Sequence, residues 1–428
     1  MQRESSQTVP GAAAPMRCLW ISRYIPYPLD AGAKVYSARL AESLAGSGAF
    51  VRYLGFGDAG AAAVHRNMEW VAVPGAQRGQ LTALFTGLPV AAAIDATTEY
   101  GRLLDQELQE HWDVIVFDGY GTGWALQRCR EYAVRHSARS PLLVHVSHNH
   151  EEVAWRSMAH CGSGSLPKRL AVWMNYRKVR TLERKVVRSV DLITAITDED
   201  AAALTPAYGR SLTLTPGHTG WRAPPRVIDA SVPRRVIIVG SFRWVMKQEN
   251  LTRFVEIADP IFHDNDIALD VVGDVPEQLL ATLRPRCRAT QFHGFVDDIV
   301  PYMSRARIAV VPELIGGGFK LKFLDYIFAR VPVATLAGAA AGLVPQLRQH
   351  MICTDDLHAL VMQVVRNMEA IDELNKMQDG AFAAAEALFR WEERGQQLRH
   401  AIASLQHERQ MAARAVRHAS KRFGVSNI

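Results

Sequence analysis

Short apolar strands alternate with helical patterns along most of the chain, and this alternation restricts the possible folds more than any other feature. Residues 18–22 (CLWIS) form the first predicted strand, and a helical pattern follows at residues 33–45. Further strands are predicted at residues 51–54, 71–73, 114–117, 142–146, 192–196, 236–239, 268–272, 308–311 and 333–336. Such alternation favours right-handed βαβ units and parallel sheets covered by helices on both faces.

The alternation pauses at residues 215–233, a stretch that holds four prolines and two glycines. A chain of 428 residues is also too long for one ordinary core. We therefore expect two facing Rossmann-like α/β domains, with a ligand cleft between the carboxyl ends of their sheets, and C-terminal helices. The expected segments are a disordered leader (1–15), a first domain (16–216), a linker (217–233), a second domain (234–390) and a C-terminal helix with a basic tail (391–428). Residues 358–406 predict two helices, and residues 409–421 a basic helical extension.

The composition is that of a soluble globular protein, with 48% hydrophobic and 21% charged residues. No stretch approaches the run of about 18 apolar residues that a membrane-spanning helix needs. Residues 1–15 lack the apolar core of a signal peptide. Five scattered cysteines without a CxxC pair argue against a disulfide framework or a zinc site, so we expect a cytoplasmic protein without a cofactor. The cysteines are Cys18, Cys129, Cys161, Cys287 and Cys353.

Residues 312–332 (PELIGGGFKLKFLDYIFARVP) combine a strand end, three glycines and the start of a helix. Glycine backbone can wrap a phosphate at a helix N-terminus, where the helix dipole favours anions. On such a helix Lys322 and Asp325 share one face, which offers a cation for a diphosphate and a carboxylate for ribose hydroxyls. The alternative is an ordinary glycine-rich turn before a solvated face. The candidate residues for binding such a nucleotide, which would be the donor of a transferred group, are Gly316, Gly317, Gly318, Lys322 and Asp325.

Two other strand-to-helix turns offer candidate ligands for an anion. Residues 239–250 (VGSFRWVMKQEN) carry Arg243 and Lys247, which would help to stabilise a leaving diphosphate. The first turn, residues 23–33 (RYIPYPLDAGA), has Gly32 but lacks the GxGxxG fingerprint of dinucleotide oxidoreductases. From spacing alone, this turn is equally well an ordinary βα loop.

Three histidines follow one another closely at the end of a predicted strand, in residues 144–152 (VHVSHNHEE). His148, His150 and Glu151 lack a further ligand at a persuasive spacing, so no metal site is expected. A histidine that faces the cleft and binds a sugar or an acceptor is the functional interpretation, with His145, His150 and Glu151 on the same side. The alternative is that these side chains cap the next helix.

Several segments, taken in order, resemble the family 4 retaining glycosyltransferases with the GT-B fold. The opening CLWISRYIPYPLDAGAKVYSARLAESLAGSG is similar to their first strand, glycine loop and helix, and SHNHEEVAWRSMA to their histidine segment. ERKVVRSVDLITAITDED resembles the last strand of their first domain. VGSFRWVMK, VVGD, FHGFVDDI, KLKFLDY and VPV follow their donor domain. The order of these segments, over some 300 positions, is more specific than any one of them.

The resemblance implies roles for particular residues. Gly32 would lie by the donor phosphate, and His148, or else His145, would touch the transferred sugar. Lys247 and Arg243 would face the diphosphate, and Lys322 matches a lysine of relatives that read G-x-K-L-K. His148, Lys247 and Lys322 are the candidate catalytic residues.

The chain departs from the family at one of two acidic positions. The family has two glutamates eight positions apart, and they correspond here to Gly317 and Asp325. Asp325 can still accept hydrogen bonds from ribose hydroxyls, but Gly317 has no side chain for the sugar. The identity of the donor sugar is therefore open, and so is the activity.

The resemblance implies transfer of a sugar from a nucleotide-sugar donor, with retention, to a glycan or lipid-linked acceptor. The attack would come from the front face, with the leaving phosphate oxygen taking the acceptor proton. A sugar-nucleotide epimerase of the same fold is one alternative. The other is a non-catalytic sugar-nucleotide-binding partner of a second transferase. No nucleic-acid partner is expected.

A basic segment at residues 168–188 has eight basic residues and one acid. On a helix, Arg177, Arg180, Arg184 and Arg188 form one stripe opposite an apolar face. This stripe is either plainly solvated or a peripheral contact with the anionic inner face of the cell membrane.

Overall fold

The computed structural model describes residues 15–161, 165–205, 209–314 and 319–422, and it confirms two parallel α/β domains. The strands of the first sheet are β1 (Arg17–Tyr24), β2 (Phe50–Phe56), β3 (Met68–Ala72), β4 (Val114–Asp118), β5 (Leu142–Val146), β6 (Leu192–Ala195) and β7 (Arg210–Thr213). Their order is β3-β2-β1-β4-β5-β6-β7. From β1 to β3 successive strands are added toward one edge of the sheet, and from β4 onward they are added toward the other edge. We call the junction between β1 and β4 the reversal point, and doubly wound sheets bind ligands at such a point.

The second sheet repeats this arrangement with six strands. They are β8 (Arg235–Val239), β9 (Ala268–Val272), β10 (Thr290–Gly294), β11 (Ile308–Val311), β12 (Val333–Leu336) and β13 (Ile352–Thr354). The order is β10-β9-β8-β11-β12-β13, so the reversal point of this sheet lies between β8 and β11. The two reversal points are the expected ligand positions in this fold.

Helices cover both sheets. Those of the first half are α1 (Gly32–Gly46), α2 (Gln80–Leu84), α3 (Val90–Asp95), α4 (Thr98–Glu107), α5 (Leu126–Arg135), α6 (Glu151–Cys161), α7 (Leu166–Val187) and α8 (Asp198–Ala203). Those of the second half are α9 (Val245–Asp264), α10 (Glu277–Leu283), α11 (Val300–Ser304), α12 (Lys322–Phe328), α13 (Pro345–Arg348), α14 (Leu357–Asn367), α15 (Ile371–Leu388) and α16 (Trp391–Arg422).

Three strands lie outside the sequence-based expectation, and all three are at sheet edges. β7 (RSLT), β10 (TQFHG) and β13 (ICT) are short and only partly buried. They lack the continuous apolar run of a strand that is buried on both faces. Pairing with β6, β9 and β12 forms them, and single-sequence patterns do not report that pairing.

The first sheet has an apolar core on each face, because successive side chains of its strands point to opposite sides. Trp20 and Tyr53 lie in one core, which α1 covers. Ile21, Phe117 and Tyr100 lie in the other. Alternation within β1 therefore decides which of its side chains lie on the face that α1 covers and which lie on the other face.

The last helix, α16, returns to the first domain and completes one of its cores. Leu398 and Ile402 are buried there, and the Trp391 ring lies 5.6 Å from that of Tyr36 on α1. Gly395 is required for this approach, since a Cβ atom there would lie 2.1 Å from the carbonyl oxygen of Ser43. The tail after residue 357 thus holds three helices, α14 to α16, where two were predicted before the basic extension.

Loops at the carboxyl ends of the two sheets meet across the cleft. A Cβ atom on Gly32, at the start of α1, would lie 3.4 Å from Cδ1 of Leu321 beside α12. Gly342 of the second domain lies against Thr197 of the first domain in the same way. Within the described ranges, no helix is long and apolar enough to cross a membrane.

Candidate functional site

The first-domain half of the site is built at the reversal point of its sheet. Asp118 ends β4, and His148 follows β5 by two residues. His148 Nε2 lies 2.7 Å from Asp118 Oδ1, and both side chains are largely buried. Asp118 Oδ2 accepts hydrogen bonds from Trp20 Nε1 at 3.0 Å and from the Tyr53 hydroxyl at 3.2 Å. The four residues form one polar network inside the apolar core.

The ionisation of Asp118 follows from its surroundings. Burial would raise the pKa of Asp118, but the hydrogen bond and charge of His148, with Trp20, hold it below its usual value. An ionised Asp118 only accepts, so Nε2 of His148 donates. The other ring nitrogen, Nδ1, is buried and has no hydrogen-bond partner among the described residues. Neither nitrogen is placed to take a proton from an acceptor hydroxyl.

A cavity of about 140 Å³ opens beside this pair and is the first-domain part of the cleft. Glu151 lines it, and burial raises the pKa of this carboxyl. His145 also borders it, but its side chain is only 1% exposed and burial lowers its pKa to about 4. Of the predicted sugar-side residues, His148 and Glu151 are thus better placed than His145 to touch a ligand.

His150, Glu152 and Glu183 bring possible metal-ligand atoms within 4.8 Å of one another. Their carboxylates already have partners. Glu183 accepts hydrogen bonds from the backbone N–H groups of Glu151 and Glu152 at 2.8 and 2.7 Å, where α6 begins. Glu152 pairs with Arg184 at 2.7 Å. The arrangement fits a helix start held by a carboxylate better than it fits a metal ligand set.

The second-domain half of the site is a group of lysines around one buried acid. Lys322, at the start of α12, places Nζ 2.6 Å from Glu313 Oε1, just beyond β11. Burial would raise the pKa of Glu313, but Lys322, Lys320 and Lys247 hold it below its ordinary value. Burial lowers the pKa of Lys247, and the neighbouring Lys322 adds to that effect. Positive charge from the starts of α9 and α12 therefore collects at the β8/β11 reversal point.

Arg243 lies farther out than the lysines. It pairs with Asp274, and its side chain is 81% exposed. The charge of Asp30, in the first domain, also acts on it. The structure thus places Arg243 at the rim of the cleft, away from the group around Glu313.

Asp325 lies on the exposed side of α12, with a side chain that is 53% exposed. Desolvation by the surrounding protein raises its pKa to about 6, and Lys322 opposes that rise. Its carboxylate is 3.9 Å from His218, whose ring stacks on Phe328 at 4.3 Å. The carboxylate is open to a ligand in the cleft. The predicted ligands Gly316, Gly317 and Gly318 fall outside the described residues.

Sequence reasoning missed Asp118 and Glu313. Each is an acid at or just beyond the carboxyl end of a central strand, in VIVFDGY and AVVPELI. An acid at that position was the available signal, because ligand-facing side chains gather at the carboxyl ends of parallel strands. Asp118 binds His148, and Glu313 binds Lys322.

Comparison with known proteins identifies the class of fold. Residues 233–369, about a third of the chain, match the family described as glycosyl transferases group 1. The comparison with curated protein sequences gave no significant match. Three solved structures that cover most of this chain agree in fold.

Anabaena HepE, solved with UDP and glucose, is 15% identical over 91% of this chain and 100% of its own, with a TM-score of 0.58. WaaG, a glycosyltransferase involved in lipopolysaccharide biosynthesis, is 19% identical over 89% of this chain and 98% of its own, with a TM-score of 0.57. The α,α-trehalose 6-phosphate synthase of Burkholderia multivorans is 11% identical over 97% of this chain and 99% of its own, with a TM-score of 0.59.

These likenesses establish the GT-B fold for the chain. Lys247, Glu313 and Lys322 lie in the part of the second domain that matches glycosyl transferases group 1. The chain thus has the GT-B fold, and about a third of it matches the family described as glycosyl transferases group 1.

Proposed function

We propose that this protein is a family 4 glycosyltransferase that moves a sugar from a nucleotide-sugar donor, with retention, to a glycan or lipid-linked acceptor. The observation that carries the proposal is the group of three lysines at the β8/β11 reversal point, Lys247, Lys320 and Lys322. Cations fixed there suit the charge that develops on a departing diphosphate. Lys247 and Lys322 stabilise that leaving group, and Asp325 holds the ribose.

The first domain supplies the acceptor side. Its cavity between His148 and Glu151 opens toward the cleft and is lined mainly by polar side chains, as sugar hydroxyls require. Since both nitrogens of His148 are engaged or buried, the histidine contacts the sugar through its ring carbons and does not act as the base. The acceptor proton then passes to the leaving phosphate oxygen, which agrees with front-face attack and retention. No metal is needed for this chemistry.

The epimerase alternative requires acids and bases that face a sugar. Asp118, His145 and Glu183 are each at least 97% buried and already hydrogen-bonded within the first domain. Of the carboxylates and histidines that line the cavity in the described part of the chain, this leaves His148 and Glu151. This arrangement favours transfer over epimerisation. The loss of a family carboxylate at Gly317 is the observation behind the non-catalytic alternative.

We also propose a peripheral position on the cytoplasmic face of the cell membrane, which suits a lipid-linked acceptor and synthesis of cell-surface polysaccharide. One exposed stripe of α7 is apolar at its start, with Leu166, Leu170 and Trp173, and basic from Arg177 onward. Lys178, next to Arg177, donates hydrogen bonds to the backbone oxygens of Leu84 and Thr86, and Phe85 between them is exposed. Apolar and cationic groups side by side match an anionic bilayer surface.

A two-stage measurement tests the proposed function. Thermal unfolding is followed with a panel of nucleoside diphosphates and their sugars, since a ligand that binds the native state raises its stability by mass action. The stabilising sugar nucleotide is then incubated with a lipid or glycan extract, and without any acceptor. We expect stabilisation and acceptor-dependent sugar transfer. A changed sugar in the donor-only sample would show an epimerase, and binding without turnover in any extract would show a non-catalytic protein.

A further inference from the structure

A buried carboxylate lies among the lysines of the second-domain site, and neither the sequence analysis nor the family comparison assigns it a role. Glu313 is 8% exposed, and its Oε1 accepts a hydrogen bond from Lys322 Nζ at 2.6 Å. The three lysines around it keep its pKa below the ordinary value despite its burial. Glu313 is therefore ionised at neutral pH.

The position of this ion pair places it where a donor would bind. A Cβ atom on Gly240, just after β8, would lie 3.7 Å from Lys322 Nζ, so this ammonium group lies in the crevice between β8 and β11. Asn250 of α9 holds the next residue in place, because its Oδ1 accepts a hydrogen bond from the Leu314 N–H at 3.1 Å. An anion that enters the crevice meets the lysines and Glu313 together.

A carboxylate beside a diphosphate weakens its binding unless the carboxylate gains a partner of its own. Like charges repel, and more strongly in a buried crevice than in water. When Lys322 turns toward a phosphate, Glu313 loses its partner and is left as a buried acceptor. Hydroxyl groups of a donor sugar can donate to it, whereas a nucleoside diphosphate has no sugar at that end. Sites that hydrogen-bond a hydroxyl discriminate strongly against analogues that lack it.

We propose that Glu313 recognises the sugar of the donor and disfavours the nucleoside diphosphate product. The inference rests on the proposed function and deepens it. Glu313 supplies, from a different position in the chain, the carboxylate that the family resemblance places at Gly317. Once the sugar has moved to the acceptor, Glu313 has lost its hydroxyl partners, and its charge then favours release of the diphosphate.

Calorimetric titration of two ligand pairs tests this role: UDP with UDP-glucose, and GDP with GDP-mannose. The wild type is compared with Glu313→Gln and with a control, Glu256→Gln, at an exposed position of α9. For the pair that the wild type binds, Glu313→Gln should bind the diphosphate about fivefold more tightly and lower the preference for the nucleotide sugar by about tenfold. The control should match the wild type in both affinities.

Unchanged diphosphate affinity and sugar preference in Glu313→Gln, with normal wild-type binding, would overturn the role of Glu313 and leave the proposed function standing. If the wild type binds neither pair, the titration is made with the pair that stabilises it in the thermal panel, and a wild type that no member of that panel stabilises would overturn both. If the Gln variant unfolds, Glu313→Asp tests the role of Glu313 in its place, because this variant keeps the charge on a shorter side chain. We expect it to keep the wild-type diphosphate affinity and lose sugar preference, and unchanged preference would overturn the inference.

Discussion

Asp118 ends β4 and His148 lies two residues beyond the neighbouring strand β5, and a hydrogen bond of 2.7 Å joins Oδ1 of the first to Nε2 of the second. Trp20 and Tyr53 fix the other carboxylate oxygen. Three side chains, from β1, β2 and β4, thus determine how His148 presents its ring to the cleft. The sheet thereby fixes the orientation of a side chain that lies beyond the carboxyl end of β5.

The variant Asp118→Asn tests this positioning. It keeps the shape of the side chain and an acceptor for Trp20, but loses the charge that orients His148. We expect kcat to fall by about a hundredfold through misplacement of the ring, with the donor KM little changed. The readout is steady-state kinetics beside Asp105→Asn, an exposed acid on α4 that pairs with Arg128. Equal losses in both variants would contradict a specific role for Asp118.

Lys247 should act on the leaving group. Lys247→Ala is expected to lower turnover by about a hundredfold, roughly 3 kcal/mol of lost charge stabilisation. Lys376→Ala, at an exposed helical position of the same domain, serves as the control. Near-normal turnover of Lys247→Ala at saturating donor would remove Lys247 from the donor site.

Lys322 is expected to show two separable effects. Lys322→Met leaves Glu313 buried without its partner, which should lower the free energy of unfolding by about 3 kcal/mol. The double variant Lys322→Met, Glu313→Gln removes both charges and should recover most of that stability. It should not recover activity, because the cation for the diphosphate is still missing. Recovery of both in the double variant would show that Lys322 is only structural.

The alternation of strands and helices predicted both domains because buried parallel strands are continuous apolar runs, such as VIVF in β4 and IAVV in β11. The same cue fails for β7 and β13, whose polar residues are held in the sheet by a neighbouring strand. It also fails for the tail. Trp391 and Ile402 mark α16 as amphipathic, but nothing in the sequence indicates that it packs on the first domain.

Side chains of the candidate site were predictable where they follow a strand in a recognisable turn, as for His148, Lys247 and Lys322. Their partners were not. Asp118 reaches His148 only because β4 and β5 pair in register, and Glu313 bonds to Lys322, nine positions farther along the chain. Both are contacts of tertiary structure.

Asp325 should make donor binding depend on pH. Its pKa is raised to about 6 in the free protein, and ribose hydroxyls donate to the ionised form. Binding therefore favours loss of the proton, so affinity for a nucleotide sugar should rise between pH 5 and 7 and level off above. Asp325→Asn should abolish that rise and increase the donor KM by about tenfold, with a smaller effect on kcat. A nucleotide sugar is the right probe, because its diphosphate does not titrate in this range. An unchanged pH profile in Asp325→Asn would contradict the role.

The exposed stripe of α7 predicts binding to anionic vesicles. The choice of variant matters, because Arg180 and Arg184 pair with the buried Glu152 at 3.4 and 2.7 Å, and reversing their charge would disturb the fold. Arg177, Lys185 and Arg188 line the same surface without contact to Glu152, so we replace these three by Glu.

Co-sedimentation with phosphatidylcholine vesicles, with and without phosphatidylglycerol, measures the effect of this triple variant. At about 1 kcal/mol per basic residue near an anionic surface, its affinity should fall by at least about a hundredfold. Binding of the wild type should require phosphatidylglycerol and weaken as salt is added. Trp173→Ser should reduce binding even at high salt, because it removes apolar area and not charge. Equal recovery of the wild type with neutral and anionic vesicles would show that the stripe is only solvated.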